Sequence, residues 1–318
     1  MSNQRIKIGL SIGDHNGIGP EIAIKASQVL ATNPHIELKL IGDRSVIDFY
    51  ANQLSISAKE LPEIIHVSTI DNLADLVPGK VCPIAGKATI EYLKKAVELA
   101  QAGSIDAILA APHNESAVNA AGISFNGYPG KLAELTNTPK DQVFIMLVGG
   151  DLRITHVTLH EGLKSALNKI NKDLVVNAGQ ASINALKQFG FENPKLAVFG
   201  INPHAGENGL FGLEDKEHTF PAVKELKAKG YDVSQPEGAD VLLANRKHDV
   251  YLAMYHDQGH IPIKLMYPNQ AAAITIGTPC IFSSVAHGTA MDIAGKGIAN
   301  PAALINAAEV LLSMFRKD

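Results

Sequence analysis

The chain is poor in cysteine: Cys82 and Cys280 are the only two in 318 residues, far apart and outside any C-x-x-C spacing. That excludes a disulfide framework and a cysteine-ligated zinc site, and it fits a reduced cytoplasmic protein. Positive charge is short as well. With a net charge of −4 and no basic run longer than a few residues, the chain lacks the electrostatic footprint of a nucleic-acid binder. No apolar stretch reaches 18 residues, and the opening MSNQRIKIGLSIG turns polar too soon for a signal peptide, so no membrane association is expected. Repeats, low-complexity segments and long linkers are missing too. What remains is a soluble chain, 46% hydrophobic and 19% charged, long enough for two ordinary domains and suited to small-molecule chemistry.

Strand-like and helix-like runs alternate. RIKIGLSIG, IELKLIG, EIIHVSTI, IDAILAAP, LAVFGINP and DVYLAMY read as strands; EIAIKASQVL, EYLKKAVELAQ, LVVNAGQASINALKQF, FPAVKELKAK and AALINAAEVLLSMF read as helices. The alternation predicts an α/β protein with mainly parallel sheets covered by helices on both faces. QVFIMLVGGDLRITHVTL departs from it, because two strand-like runs flank Gly149-Gly150-Asp151 and so predict a hairpin, a common mark of a second domain or a dimer arm.

Three histidines stand at or just beyond apolar runs: His156 in LRITHVTLHE, His204 in GINPHAGENG and His256 in AMYHDQGH. A neutral imidazole at a strand end can ligate a metal, and three of them leave coordination open for a substrate, as catalytic zinc sites require. His160 and His260 compete for the same roles. His160 lies four residues past His156, however, and His260 follows an expected turn at His256-Asp257-Gln258-Gly259. The loop GDHNGIGPE has Gly17-Ile18-Gly19-Pro20 where a dinucleotide fingerprint needs a third glycine, so it reads either as a plain tight strand-to-helix turn or as a turn at the sheet's carboxyl edge that lines the active-site cleft, with Asp14 as its polar, substrate-binding member.

The stretch His287-Gly288-Thr289-Ala290, with Asp292-Ile293-Ala294-Gly295 and Ile298-Ala299-Asn300-Pro301, resembles the adenosine-binding loop of NAD(P)-dependent β-decarboxylating dehydrogenases. Glycine permits close backbone approach, and His287, Asp292 and Asn300 can bond a base and ribose. Taken in order, GDHNGIGPEI, GINPHAGENGLFG, MYHDQGHIPIK and HGTAMDIAGKG resemble the PdxA family, whose best-known member is 4-hydroxythreonine-4-phosphate dehydrogenase. The resemblance covers essentially the whole chain. It implies two α/β/α domains of the isocitrate/isopropylmalate dehydrogenase type, 1–125 plus 287–318 and 126–286, with the active site in the cleft between them. It also implies a homodimer, an NAD-dependent oxidation followed by decarboxylation, and a divalent metal held by histidines from both subunits. Those ligands fall on His156, His204 and His256, the substrate-contacting lysine on Lys264, and the family's acids on Asp240 and Asp257. The metal is expected to be zinc, with Mg, Mn or Co as alternatives, and NADP is the alternative cofactor.

This chain also departs from the hydroxythreonine-phosphate enzymes. Their G-H-T-E is here Gly127-Tyr128-Pro129-Gly130, and an expected Asn and Arg are Ala273 and Phe282. The lost guanidinium is the group best suited to a phosphate. By contrast, APHNESAVNAAGISFNGYPG and RKHDVYLAMYHDQGHIPIKL look closely like the branch that dehydrogenates the cis-dihydrodiol of terephthalate, where Tyr128 and Phe282 offer faces to a flat ring. The expected function is therefore oxidative decarboxylation of such a dihydrodiol to a catechol. The alternatives are the phosphorylated hydroxythreonine, with His113, Asn114 or Lys131 holding the phosphate, and, from other classes, an NAD-independent metallohydrolase or a non-enzymatic metal- or ligand-binding protein.

Overall fold

The computed structural model describes residues 5–125, 127–268, 270–285 and 287–315. Eleven strands lie among them: β1 (Ile6–Ser11), β2 (Ile36–Gly42), β3 (Glu63–His66), β4 (Ala107–Ala110), β5 (Phe144–Gly149), β6 (Leu152–His156), β7 (Lys195–Val198), β8 (Asp232–Val233), β9 (Val250–Ala253), β10 (Ala272–Ile276) and β11 (Phe282–Ser284). The chain divides into two compact units. One holds the described residues up to Thr136 together with Pro279–Phe315, the other Asn137–Thr278.

In the first unit the strand order is β3-β2-β1-β4-β11 and every pairing is parallel. Strands buried on both faces need near-continuous apolar runs, and AILA in β4 is buried at all four positions. The crossover helices start where local chemistry favours it, with prolines in the first turns of Gly19–Leu30 and Pro83–Gln101 and the Asn114 side chain accepting from Ala117 N at 3.0 Å. Because the strands run parallel, the loops after β1, β4 and β11 gather at one sheet edge, where α/β proteins place ligands.

In the second unit the order is β10-β5-β6-β9-β7-β8. β5 runs antiparallel to both β10 and β6, and the β5–β6 turn at Gly150-Asp151 is the hairpin read from the sequence. From β6 onward the pairings are parallel, so β6, β9 and β7 end at the same edge. The core behind that edge is built from Leu147, Leu152, Ile154, Phe199, Tyr251 and Ile263. Among the described residues, no helix is long and apolar enough to cross a membrane.

Candidate active site

The edge of β6, β9 and β7 carries the histidines. His156 is the last residue of β6, His256 opens the helix His256–Met266 after β9, and His204 lies in Pro203–Gly209 after β7. The turn expected at His256–Gly259 is in fact the start of that helix. Gly259 reads as a turn residue, but its role is steric, because a Cβ there would run into Nε2 of His156. Helical spacing then sets His256, His260 and Lys264 on one face. The His256 and His260 rings stack with centroids 3.7 Å apart.

One imidazole nitrogen from each of His160, His256 and His260 lies within 4.8 Å of the other two. Two histidine nitrogens on one tetrahedral ion sit about 3 to 3.5 Å apart, so small side-chain rotations close the set. Two of the three donors are held towards the neutral form that ligates a metal. Burial, then the charges of His256 and Lys264, holds the pKa of His160 below the usual imidazole value, and burial with the neighbouring His256 charge brings His260 down to about 4. Asp257 Oδ1 lies 2.6 Å from Nδ1 of His256, which orients that ring and leaves Nε2 as the nitrogen free to ligate. A cavity beside the cluster is lined by Leu159, His160, Glu161, Leu163, Tyr255 and His256. Imidazoles beside such a cavity suit a borderline divalent ion such as zinc or cobalt.

His156, to which the sequence pattern points, is not in that group. Its ring is 2% exposed, its Nε2 is 3.1 Å from Nδ1 of His260, and burial together with the His260 charge pushes its pKa down to about 3. The sheet explains the exchange with His160. β6 ends at His156 and keeps its side chain in the packed layer, whereas the chain has left the sheet by His160. His204 also stands apart from the cluster, 69% exposed, with Nδ1 3.0 Å from the Glu207 carboxylate. It begins a left-handed run in which His204, Ala205, Gly206, Glu207 and Asn208 all have φ between 43° and 81°. Non-glycine residues pay for this conformation, and such strain gathers at functional loops. What holds the run is a residue that no sequence signal marks. The buried carboxylate of Asp215 accepts from the amides of Ile201 at 2.8 Å and Asn202 at 2.9 Å and from the Thr219 hydroxyl at 2.8 Å. Gln258 ties the loop to the histidine helix by donating to the Gly200 carbonyl at 2.7 Å and accepting from Met254 N at 2.7 Å.

Lys264 is exposed on the histidine face of its helix, and its charge depresses both His160 and His260. Asp240 is exposed in the first turn of a separate helix, Ala239–Asn245.

In the first unit, Asp14 is fully buried after β1. Its Oδ1 accepts from Asn16 N at 2.9 Å, its Oδ2 has no partner, and burial raises its pKa to about 6. The aromatic faces expected of Tyr128 and Phe282 are not open. Tyr128 is 4% exposed and donates to the Ala111 carbonyl at 2.9 Å, and Phe282, at 1%, packs on it with centroids 4.9 Å apart. Tyr128 sits at the start of the helix Tyr128–Leu135 with its side chain turned into the core. The outward member of this group is His113, whose ring packs edge-on against Phe125 and Tyr128 at 4.8 and 4.4 Å. Asn114 and Lys131 are already engaged, Asn114 with Ala117 N and the Thr289 hydroxyl, Lys131 with Glu134.

Among the residues of the Gly-rich stretch, His287, Gly288 and Asp292 are exposed, while Thr289 is buried and accepts from Ile18 N at 2.9 Å through its carbonyl. Ala290 has φ 41°, and Asn300 accepts from Ala302 N at 2.9 Å, so it caps the last helix.

The model of the family described as pyridoxal phosphate biosynthetic protein PdxA matches residues 22–311. The chain belongs to the PdxA family. It is 47% identical over 305 residues to the 1,2-dihydroxy-3,5-cyclohexadiene-1,4-dicarboxylate dehydrogenase of a Comamonas species, covering 96% of both chains. It is 41% identical to the D-threonate 4-phosphate dehydrogenase of Cupriavidus necator, again over 96% of each. The crystal structure of the Klebsiella pneumoniae 4-hydroxythreonine-4-phosphate dehydrogenase, 31% identical, superposes with a TM-score of 0.89 over 98% of this chain and all of that one. The α/β fold of this PdxA member is thus that of the family's dehydrogenases.

Proposed function

We propose that the protein is a metal-dependent, NAD-linked dehydrogenase that oxidises a secondary alcohol beside a carboxylate-bearing carbon, with loss of CO2. Its favoured substrate is a non-phosphorylated cis-dihydrodiol of an aromatic carboxylate, which gives a catechol. The observation that carries the reading is the imidazole cluster of His160, His256 and His260 on the strand edge of a chain 47% identical to a dihydrodiol dicarboxylate dehydrogenase. The exchange of polar phosphate ligands for Tyr128, Ala273 and Phe282 supports the same choice. The buried aromatic group of Phe125, Tyr128 and Phe282 leaves His113 as its outward polar edge. The metallohydrolase reading gives way, because it needs no dinucleotide loop.

When bound, a divalent ion held by the imidazoles of His160, His256 and His260 would supply Lewis acidity, and NAD held by the 287–300 loop would supply the hydride acceptor. The chain's own groups do the rest. Asp257 fixes the His256 ring and its tautomer. Buried His156 holds His260 against rotation by sharing one hydrogen between Nε2 and Nδ1. Lys264, exposed on the same helix face, pairs with the substrate carboxylate or, in its neutral form, takes the alcohol proton. Asp240 remains a candidate proton carrier from its separate helix. In a dihydrodiol the enol left by CO2 loss is aromatic, so the second step is strongly downhill.

The functional unit is a homodimer that works in the cytoplasm, with His204 reaching the imidazoles of a second copy. Its exposed ring and the exposed Leu210, Phe211 and Leu213 beside it are suited to a subunit interface. Turnover of the terephthalate cis-dihydrodiol, D-threonate 4-phosphate and 4-phosphohydroxythreonine with NAD, before and after chelation, tests the reading. The dihydrodiol should give the highest kcat/KM, by about a hundredfold if two charge-assisted phosphate contacts are missing. Better turnover of either phosphorylated substrate, or full activity after metal removal, overturns it.

A further inference from the structure

The loop GDHNGIGPE is no dinucleotide fingerprint, yet it and the helix it opens grip the Gly-rich stretch at two points. At the first, the backbones meet. Ile18 N donates to the Thr289 carbonyl at 2.9 Å, and a Cβ on Gly17 would lie 2.7 Å from the Thr289 Cβ. At the second, a buried ion pair reaches in from the helix Gly19–Leu30. Glu21 is fully buried, and its carboxylate accepts from Ala299 N at 2.7 Å and Gly297 N at 3.2 Å. Lys25 Nζ lies 2.7 Å from Glu21 Oε1 and donates to the carbonyls of Gly297 at 2.9 Å and Ala299 at 2.8 Å. Two side chains one helical turn apart therefore satisfy two donors and two acceptors of one short loop segment.

The loop needs such support. Among the described residues between β11 and the helix Ala302–Phe315 there is no helix or strand, and Ala290, Gly295 and Gly297 all have positive φ. Its internal backbone bonds are few, Ile293 N to the Ala290 carbonyl at 3.0 Å and Lys296 N to the Ile293 carbonyl at 3.2 Å among them. Its shape is thus imposed from outside, and burying a carboxylate is costly unless it is paired and hydrogen-bonded, as Glu21 is.

We propose that Glu21 and Lys25 are positioning residues for dinucleotide binding: they hold Gly297–Ala299, and through them the 287–300 loop, in the conformation that receives the adenosine half of NAD. This rests on the assignment of that loop to NAD in the proposed function. The pair touches no cofactor. It acts by removing the ordering cost that a slack loop would pay on binding.

The test uses the full-length protein with NAD alone and NADH alone as probes, read by calorimetry and by NADH fluorescence, together with steady-state kinetics on the dihydrodiol. Glu21→Gln replaces one acceptor with an amide that faces a backbone N–H. The dissociation constant for NADH and the KM for NAD should rise about tenfold, with kcat at saturating NAD within about twofold and bound metal unchanged. The paired variant Glu21→Gln/Lys25→Met removes both charges at near-constant shape. It should show the same rise, and it serves if the single variant fails to fold. A general loss of folded protein would lower kcat and leave KM alone, so the split separates positioning from stability. Wild-type NADH affinity in both folded variants overturns the inference while leaving the proposed function intact. A wild-type protein that binds neither NAD nor NADH overturns both.

Discussion

Asp14 and His15 are neighbours in sequence, both fully buried, and burial displaces them in opposite directions, Asp14 up to about 6 and His15 down to about 4. Each displacement corresponds to about 3 kcal/mol between the protonation states. For Asp14 the folded protein holds the proton more tightly than the unfolded chain. The stabilisation it brings is fully present below pH 4 and is lost as pH rises through 6. For His15 the unfolded chain holds the proton more tightly, and stability is lost as pH falls from 6.5 towards 4. In the wild type the two nearly cancel between pH 4 and 6.5, so the profile hides them and single variants expose them. Asp14→Asn keeps the Oδ1 acceptor used by Asn16 N and removes the titration. Its melting temperature relative to wild type should climb by several degrees from pH 4 to pH 7, at about 2 to 4 °C per kcal/mol for units of this size. His15→Gln should shift the opposite way, gaining on wild type as pH falls. Scanning calorimetry at four pH values suffices. A gap between Asp14→Asn and wild type that stays constant from pH 4 to pH 7 would refute the reasoning.

Two further outcomes follow from the site. If the His160, His256 and His260 group holds the ion as proposed, His160→Ala should lower metal affinity at least a hundredfold, while His156→Asn, whose ring bonds to His260, should cost about tenfold; metal content and chelator competition separate the two. Asp215→Asn removes one charge-assisted acceptor beneath the left-handed run and should destabilise it by about 1.5 to 3 kcal/mol, seen as faster amide exchange in 201–209; unchanged exchange there would mean the run holds itself.

The α/β alternation, the hairpin at Gly150 and the strand-end setting of the histidines were legible because apolar periodicity and turn glycines are local signals. That His160 rather than His156 would group with His256 and His260 was not, since it depends on the residue at which β6 leaves the sheet. A helix beginning at His256 was hidden by Gly259 and Pro262, which read as breakers. Gly259 is there for the His156 ring and Pro262 is accommodated inside the helix. Tyr128 and Phe282 were visible as departures from the phosphate-binding pattern, but whether an aromatic ring lines a site or fills the core depends on packing that one sequence does not carry. Asp215 gives no sequence signal of its role, because the backbone amides it holds lie 13 and 14 residues away, and only the Thr219 hydroxyl is near in sequence.

The division of the chain also sets an order of events during synthesis. The second unit is one continuous segment, Asn137–Thr278, and all its strands have been made by the time Ile276 emerges. The first unit is interrupted: β11 and the helix Ala302–Phe315, which pack on β4, arrive more than 170 residues after it. Contacts that distant in sequence close slowly. The histidine-bearing unit therefore completes first on the ribosome, while the one carrying the Gly-rich loop waits for the last helix with β4 unpaired along one edge. A pause or truncation late in translation should leave a folded, metal-competent second unit attached to an open first one, and that exposed edge is where misassembly of this protein should begin.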